Sequence, residues 1–278
     1  MASALTIGTR GSPLALWQAR AVAAALPVAA EVVPIGVAGD WRTGDAEAPL
    51  PEDQGGKALF AKEIEQALLA RAVDCAVHSA KDLAATLPEG LILAACLPRG
   101  EARDVLVGAE PGPGARIGTT SPRRAAFARS LWPGAAVIAV RGNVGTRLDK
   151  LDADAVDALI LAGAGLARLG FAHRVTRYLS VEEMLPAAGQ GAIAVEARAD
   201  SPHLKMLRGA GCGTTLACLL AERAVVTALG AGCRDAVAAH AVPQGRGLWL
   251  RAWWRGRFAE AQGLNPIALG RDVAGRLA

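Results

Sequence analysis

A single cysteine, Cys233, stands in the glycine-rich segment "ALGAGCRDAVAAHA", residues 228–241, with no second cysteine near it. The other four cysteines, at positions 75, 96, 212 and 218, are scattered, and the chain has no C-x-x-C motif. An odd, scattered set argues against a disulfide framework and for a reducing compartment. We interpret those four as small core residues, and the residues alone leave the role of Cys233 open.

Several arginines lie in turns where a strand passes into a helix. Ligands of open α/β sheets bind beyond the carboxyl ends of the strands, so we expect these side chains to converge on one cleft. Many guanidinium groups in one cleft indicate a ligand with several carboxylates or phosphates. The arginines concerned are Arg10, Arg123, Arg124, Arg141, Arg147 and Arg168. A solvated helix face is the better interpretation for Arg20, Arg71 and Arg129.

The stretch "VDCAVHSAKDLAATLP", residues 73–88, is typical of a buried strand that runs into a polar turn. Asp82 lies in that turn, at the strand end where a catalytic carboxylate would pair with a developing cation. A structural Lys81–Asp82 turn is an equally good interpretation. We predict no metal site, because the four histidines are single and have no ligand spacing.

Two lysines, Lys57 and Lys62, lie in "GGKALFAKEIEQALL", where two glycines precede an amphipathic helix. The segment lacks the spacing of a phosphate-binding P-loop. A mobile loop that brings lysines to the cleft and an ordinary connecting loop remain open alternatives.

The elements that must position these residues are short β-branched runs alternating with helical patterns, which is typical of α/β domains with largely parallel sheets. Two stretches resemble each other, "TIGTRGSPLALWQAR" and "RIGTTSPRRAAFAR". In each, a strand ends in Ile-Gly-Thr, and Ser-Pro caps and starts a helix whose N-terminus could seat an anion. Ordinary helix capping is the alternative. After Gly209 we predict a helix over 214–229, strands over 235–241 and 248–253, and a last helix near 265–277.

The 278 residues are 52% hydrophobic, enough for a large core, and the length favours two or three domains. The net charge of +4 is too small to indicate a nucleic-acid-binding protein. The beginning of the chain lacks the features of a signal peptide, and its longest apolar run is too short for a bilayer. We expect a soluble, cytoplasmic protein.

Eight motifs, in order, resemble the porphobilinogen deaminase family of tetrapyrrole biosynthesis, also called hydroxymethylbilane synthase. They are "TRGSPLALWQA", "GGKALFAKEIE", "AVHSAKDL", "GTTSPRR", "VRGNVGTRLDKL", "AGAGLARLG", "LPAAGQGAIAVEAR" and the "GAGC" segment. The resemblance covers nearly the whole chain. It implies a transferase that condenses four porphobilinogen molecules head to tail, with loss of ammonia, on a covalently bound dipyrromethane primer, and then hydrolyses off hydroxymethylbilane.

The resemblance also implies roles for individual residues. Asp82 is the implied catalytic carboxylate, and Cys233 carries the dipyrromethane through a thioether. The implied cofactor-binding residues are Ser79, Lys81, Asp82, Thr119, Ser121, Arg123, Arg124 and Arg147. The implied substrate-binding residues are Arg10, Ser12, Arg141, Arg168, Gln190 and Arg198. Lys57 and Lys62 fall in the family's active-site loop.

The implied architecture is two α/β domains, similar to a periplasmic binding protein, around a cleft, with a small C-terminal α+β domain. Domain 1 covers 1–97 and 191–210, with "GAIAVEA" as a returning strand. Domain 2 covers 103–186, and domain 3 covers 213–278. The resemblance implies a monomer that binds neither nucleic acid nor membrane.

Two other classes compete with this interpretation. A non-catalytic protein that binds anions would explain the repeat and the arginines, but not Cys233, Asp82 or a third domain. A transcriptional regulator would need a helix-turn-helix segment, and none precedes residue 6.

Overall fold

The computed structural model describes residues 4–36, 61–232 and 235–278. The chain divides into two compact units. The first comprises the described parts of 1–99 and 192–220, and the second those of 100–191 and 221–278. The division falls within a single helix, α7, which runs Gly213–Ala228. The three-domain division stays a prediction.

The first unit is built on a five-stranded sheet in the order β2-β1-β3-β10-β4. Its strands are β1 (Leu5–Arg10), β2 (Ala30–Ile35), β3 (Cys75–Ser79), β4 (Leu91–Cys96) and β10 (Ile193–Arg198). Strands β1, β2 and β3 are parallel, whereas β10 runs antiparallel to β3 and β4. The strand predicted in "GAIAVEA" is confirmed as β10, and all six of its residues are buried.

Helices pack on both faces of this sheet. Helices α1 (Pro13–Ala25) and α6 (Leu204–Gly209) bury Ala19, Val22 and Leu207 with the side chains of Cys75 and Val77. Helix α2 (Lys62–Leu69) buries Ile64 and Leu68 against Ala76, whose side chain points the other way. Alternate residues of β3 therefore serve opposite faces, as the strand period of two requires.

The second unit contains a second five-stranded sheet, in the order β7-β6-β8-β5-β9. Strands β6, β7 and β8 are parallel, and β5 is antiparallel to β8 and β9. The elements are β5 (Asp104–Gly108), β6 (Arg116–Gly118), α3 (Pro122–Leu131), β7 (Ala136–Ile138), α4 (Val144–Asp152), β8 (Ala158–Ala162), α5 (Gly163–Arg168) and β9 (Arg177–Tyr178).

The same unit holds an antiparallel three-stranded sheet of β11 (Val237–Gln244), β12 (Gly247–Trp254) and β13 (Arg257–Gly263). Helix α8 (Pro266–Leu277) packs on β12 and β13. Trp253 joins the core around Phe127 of α3, with the two ring centroids 4.8 Å apart. This sheet is the α+β part of the chain, so the predicted fold class is confirmed.

The expectation of largely parallel sheets is only half right. In each five-stranded sheet three strands are parallel, and the remaining pairings are antiparallel. Strands β5, β9 and β13 were not predicted. Part of the segment with the predicted amphipathic helix, residues 55–69, lies outside the described residues, and α2 begins at Lys62.

Candidate active site

The two joints in which Ser-Pro closely follows Ile-Gly-Thr fold alike, one in each unit. The Ser12 hydroxyl accepts a hydrogen bond from the Ala15 amide at 3.3 Å, and that of Ser121 accepts one from the Arg124 amide at 3.4 Å. In both helices proline occupies the first turn, where it removes no helical hydrogen bond. The predicted capping is confirmed. Whether these helix starts seat an anion stays a prediction.

A small cavity of about 80 Å³ in the first unit collects the polar residues of the first joint and of the β3 end. Arg10 and Ser12 line it from the β1–α1 connection. His78, Ser79 and Asp82 line it from β3 and the turn that follows. The structure therefore places around one cavity a guanidinium, two hydroxyls and a carboxylate, to which the family resemblance assigns catalytic, cofactor-binding or substrate-binding roles.

Hydrogen bonds to neighbouring elements hold the end of β3 and the turn that carries Asp82. Thr9, fully buried, donates its hydroxyl to the Val77 carbonyl at 3.1 Å. Gln18 exchanges hydrogen bonds with the Ser79 hydroxyl at 2.9 and 3.1 Å. Residues Ala80–Asp82 then form a single 3-10 turn, and the Ala80 amide donates to the Ala192 carbonyl at 3.1 Å. A carboxylate on such a turn needs little reorganisation to meet a developing charge.

In the second unit, Arg123 and Arg124 are buried around one acid, Asp104, which is fully buried in β5. Asp104 lies 2.7 Å from Arg123 and 2.8 Å from Arg124, in each case between oxygen and guanidinium nitrogen. Gln190 donates to the same carboxylate at 3.1 Å. The sequence predictions missed Asp104, although a single acid opening a buried apolar strand, "DVLVG", is the kind of residue that pairs with buried arginines.

The other predicted residues of this unit lie at turns. Thr119 is buried, and its hydroxyl accepts from the Ser121 amide at 3.1 Å. Arg147, half-buried in α4, donates to the Gly142 carbonyl at 2.8 Å. Arg168 donates to the Gly191 carbonyl at 2.6 Å, and burial lowers the pKa of its guanidinium. Arg141 is half-buried just before the α4 cap.

Arg198 lies buried in a strand and not at a turn. It is buried in β10 and donates to the carbonyls of Leu68 and Val73 at 2.8 and 3.0 Å. Lys62 is exposed at the first residue of α2, and Lys81 is half-buried. Cys233 and Lys57 lie outside the described residues.

The family model "Porphobilinogen deaminase, dipyromethane cofactor binding domain" matches residues 5–206. A porphobilinogen deaminase of Acidithiobacillus ferrooxidans is 45% identical over 296 aligned positions, covering 100% of this chain and 95% of the relative. Another, from Xanthomonas euvesicatoria pv. vesicatoria, is 44% identical and covers 97% of this chain and 94% of the relative. The chain belongs to the porphobilinogen deaminase family.

Porphobilinogen deaminases are transferases, and the matched region is their dipyrromethane cofactor-binding domain. Among solved structures, a substrate binding domain of a putative amino acid ABC transporter from Streptococcus pneumoniae is 12% identical, with a TM-score of 0.45. The structural alignment covers 75% of this chain and 91% of the Streptococcus pneumoniae chain.

The residues of this chain fit a cofactor that bears carboxylates. Hydroxyls and N–H groups lie at the start of α3, and guanidinium groups lie at the half-buried positions 141 and 147. These are the donors that carboxylates prefer. Within the described ranges no cluster of three or more His, Cys, Asp or Glu side chains could hold a metal ion. Nor is any helix there long and apolar enough to cross a membrane.

One prediction about the cysteines needs correction. Cys75, Cys96 and Cys218 are buried, and burial raises the pKa of the Cys75 thiol to about 12. Cys212 is instead partly exposed just before α7, where hydrogen bonds from Thr215 lower the pKa of its thiol. Cys212 is therefore not a small core residue: it is only partly buried, and it directly precedes Gly213, the first residue of α7.

Proposed function

We propose that Asp82 is the catalytic carboxylate of a hydroxymethylbilane synthase, which condenses four porphobilinogen molecules head to tail and releases hydroxymethylbilane and ammonia. The observation that carries the proposal is the grouping of Asp82 with Arg10 and Ser12 in one cavity, in a chain of this family. Bound dipyrromethane supplies the pyrrole end to which the first porphobilinogen is joined. The chain's own residues do the rest.

Asp82 stabilises the positive charge that forms during the reaction. Departure of ammonia from porphobilinogen leaves a cation, and attack by a pyrrole carbon gives a second cation that must lose a proton. A fixed carboxylate stabilises both, because it is already oriented where positive charge appears. The hydrogen bonds that mount the end of β3 maintain this orientation.

Arg10 and Ser12 bind a carboxylate of the substrate. Porphobilinogen has an acetate and a propionate, and a guanidinium beside a helix start offers parallel donors to such groups. Arg141 and Arg168 have the same role for substrate carboxylates. Gln190 and Arg198 are proposed for the same role; like Arg168, they also donate to protein carbonyls.

The cofactor is bound through Cys233. The residues proposed to bind its carboxylates are Ser79, Lys81, Thr119, Ser121, Arg123, Arg124 and Arg147. Lys57 and Lys62 are proposed for the active-site loop. We further propose a cytoplasmic monomer of three domains that binds neither nucleic acid nor membrane.

Intact mass of the denatured protein, followed by peptide mapping, tests this function. We expect an added mass of two porphobilinogen units less two ammonias on the peptide containing Cys233, absent in Cys233→Ala. Incubation of the wild type with porphobilinogen should yield hydroxymethylbilane. A Cys233 that stays unmodified after exposure to porphobilinogen or hydroxymethylbilane would favour a non-catalytic anion-binding protein instead.

A further inference from the structure

A buried histidine–glutamate pair, whose histidine lines the Asp82 cavity, has no role in the proposed function. His78 Nε2 is 3.2 Å from Glu196 Oε2, and the two side chains are 6% and 0% exposed. His78 lies in β3 and Glu196 in β10, the adjacent antiparallel strand. His78 pairs with Ala194, so the side chains of residues 78 and 196 lie on the same face of the sheet.

The pair is costly. Neither oxygen of Glu196 has a hydrogen-bond partner within the described part of the chain. A carboxylate removed from water without hydrogen bonds loses more free energy than one imperfect ion pair returns, and apolar side chains of similar volume often replace such pairs without loss of stability. Stability alone therefore does not account for Glu196 in this strand.

The location of the pair indicates what it is for. His78 is the middle of three consecutive β3 residues, each contacted by a different element. Val77 accepts from Thr9 of β1, Ser79 bonds to Gln18 of α1, and His78 meets Glu196 of β10. His78 also lines the cavity that contains Asp82, four residues further along the chain.

We propose that Glu196 and His78 form a positioning pair for the condensation reaction. Glu196 fixes the imidazole at the cavity wall, and the fixed imidazole keeps the turn 80–82 and the Asp82 carboxylate in the reactive orientation. This inference rests on the proposed function, since it assigns a supporting role at the same site.

The decisive variant replaces both members, His78→Leu with Glu196→Met, so that no buried charge is left without a partner. We expect the melting temperature of the double variant to equal or exceed that of the wild type. Its kcat should fall at least tenfold while KM stays within about threefold, because misplacing Asp82 weakens transition-state binding more than substrate binding. A purely structural pair would give the opposite pattern, a lowered melting temperature with an unchanged kcat in the folded fraction.

The isosteric single variant Glu196→Gln gives an independent measurement that does not need turnover. We expect the His78 ring-nitrogen NMR signals of the primer-loaded protein to show one fixed hydrogen-bonding state in the wild type, and exchange between states in Glu196→Gln. Identical spectra would overturn the proposal. So would a double variant that fails to fold, or one that retains the wild-type kcat.

The control is His240→Gln. His240 is also buried beside a buried carboxylate, with Nδ1 3.7 Å from Glu222 Oε1, but it lies on β11 in the second unit. We expect no change in kcat for this variant. If the wild type itself makes no hydroxymethylbilane, the proposed function has failed. An active wild type with fully active pair variants removes only the positioning role.

Discussion

At the scale of single residues, the same side-chain type serves both chemistry and support, and burial separates the two roles. Arg10 lines a cavity beside Asp82, whereas Arg198 is buried and donates to two backbone carbonyls. The sequence marks both as arginines near strand ends. It does not show which carbonyls or carboxylates lie within reach, because such partners are distant in the chain: the Asp104 carboxylate is 20 positions from Arg124, and the Leu68 carbonyl is 130 positions from Arg198.

Asp82→Asn tests the catalytic assignment. The amide keeps the size of the side chain but cannot stabilise a cation, so we expect kcat to fall by roughly 10²–10³. The fold and the attached primer should be retained. Steady-state kinetics with porphobilinogen, together with intact mass, measure both quantities.

Glu31→Gln is the matched control for this change, since Glu31 is an exposed carboxylate in β2 of the same unit. Its kinetics should equal those of the wild type. Near-normal hydroxymethylbilane production by Asp82→Asn would remove Asp82 from the catalytic role.

At the scale of elements, the repeated joints show how much of the site the sequence specifies. Ser-Pro marks the starts of α1 and α3 correctly, because a capping hydroxyl and a fixed proline φ act locally. Strands β5 and β9 escaped prediction because their antiparallel pairing depends on partners far along the chain. The starts of α1 and α3 were thus predictable, while the acid that anchors Arg123 and Arg124 was not.

Gly118, at the end of β6, tests the packing of the second joint. A Cβ there would lie 2.6 Å from Leu159 Cδ2 and 2.8 Å from Val140 Cγ2. Gly118→Ala should therefore lower the free energy of unfolding by about 1–3 kcal/mol, the usual cost of overpacking. Chemical denaturation measures this loss.

Gly112→Ala provides the comparison in the same unit, because no atom beyond residue 112 and its two chain neighbours lies within 4 Å of a Cβ at that position. We expect its unfolding free energy to be unchanged or slightly raised by the lower entropy of the unfolded chain. Equal stabilities for the two variants would show that the glycine of the Ile-Gly-Thr joint is not required for packing.

At the scale of the whole molecule, distant segments are joined by a few buried polar groups. The sequence predicts the α/β class and the C-terminal helices, because each follows from a local hydrophobic pattern, whereas the returning strand β10 was implied by the family resemblance. It does not predict which buried acid links which segments. Asp104 and Glu222 are such acids, and both are fully buried.

Glu222 of α7 shows how strongly such a link should matter. Its two oxygens accept from the amides of Gly189, at 2.7 Å, and Ala241, at 2.8 Å. One carboxylate therefore ties α7 to the segment before Gln190 and to β11. Glu222→Ala would leave both buried amides without their acceptor. Each unsatisfied amide costs about 1–3 kcal/mol, so we expect a loss of several kcal/mol in unfolding free energy.

Hydrogen exchange distinguishes a local from a global loss in this variant. If Glu222 is the link, protection in Glu222→Ala falls first at the amides of 189 and 241 and in the neighbouring parts of the turn and of β11, while the five-stranded sheet of the first unit keeps its protection. Glu182→Ala is the control, since Glu182 is exposed and its loss should leave both segments protected. Uniform loss of protection throughout the chain would mean that Glu222 supports the whole fold cooperatively rather than joining these two segments to α7.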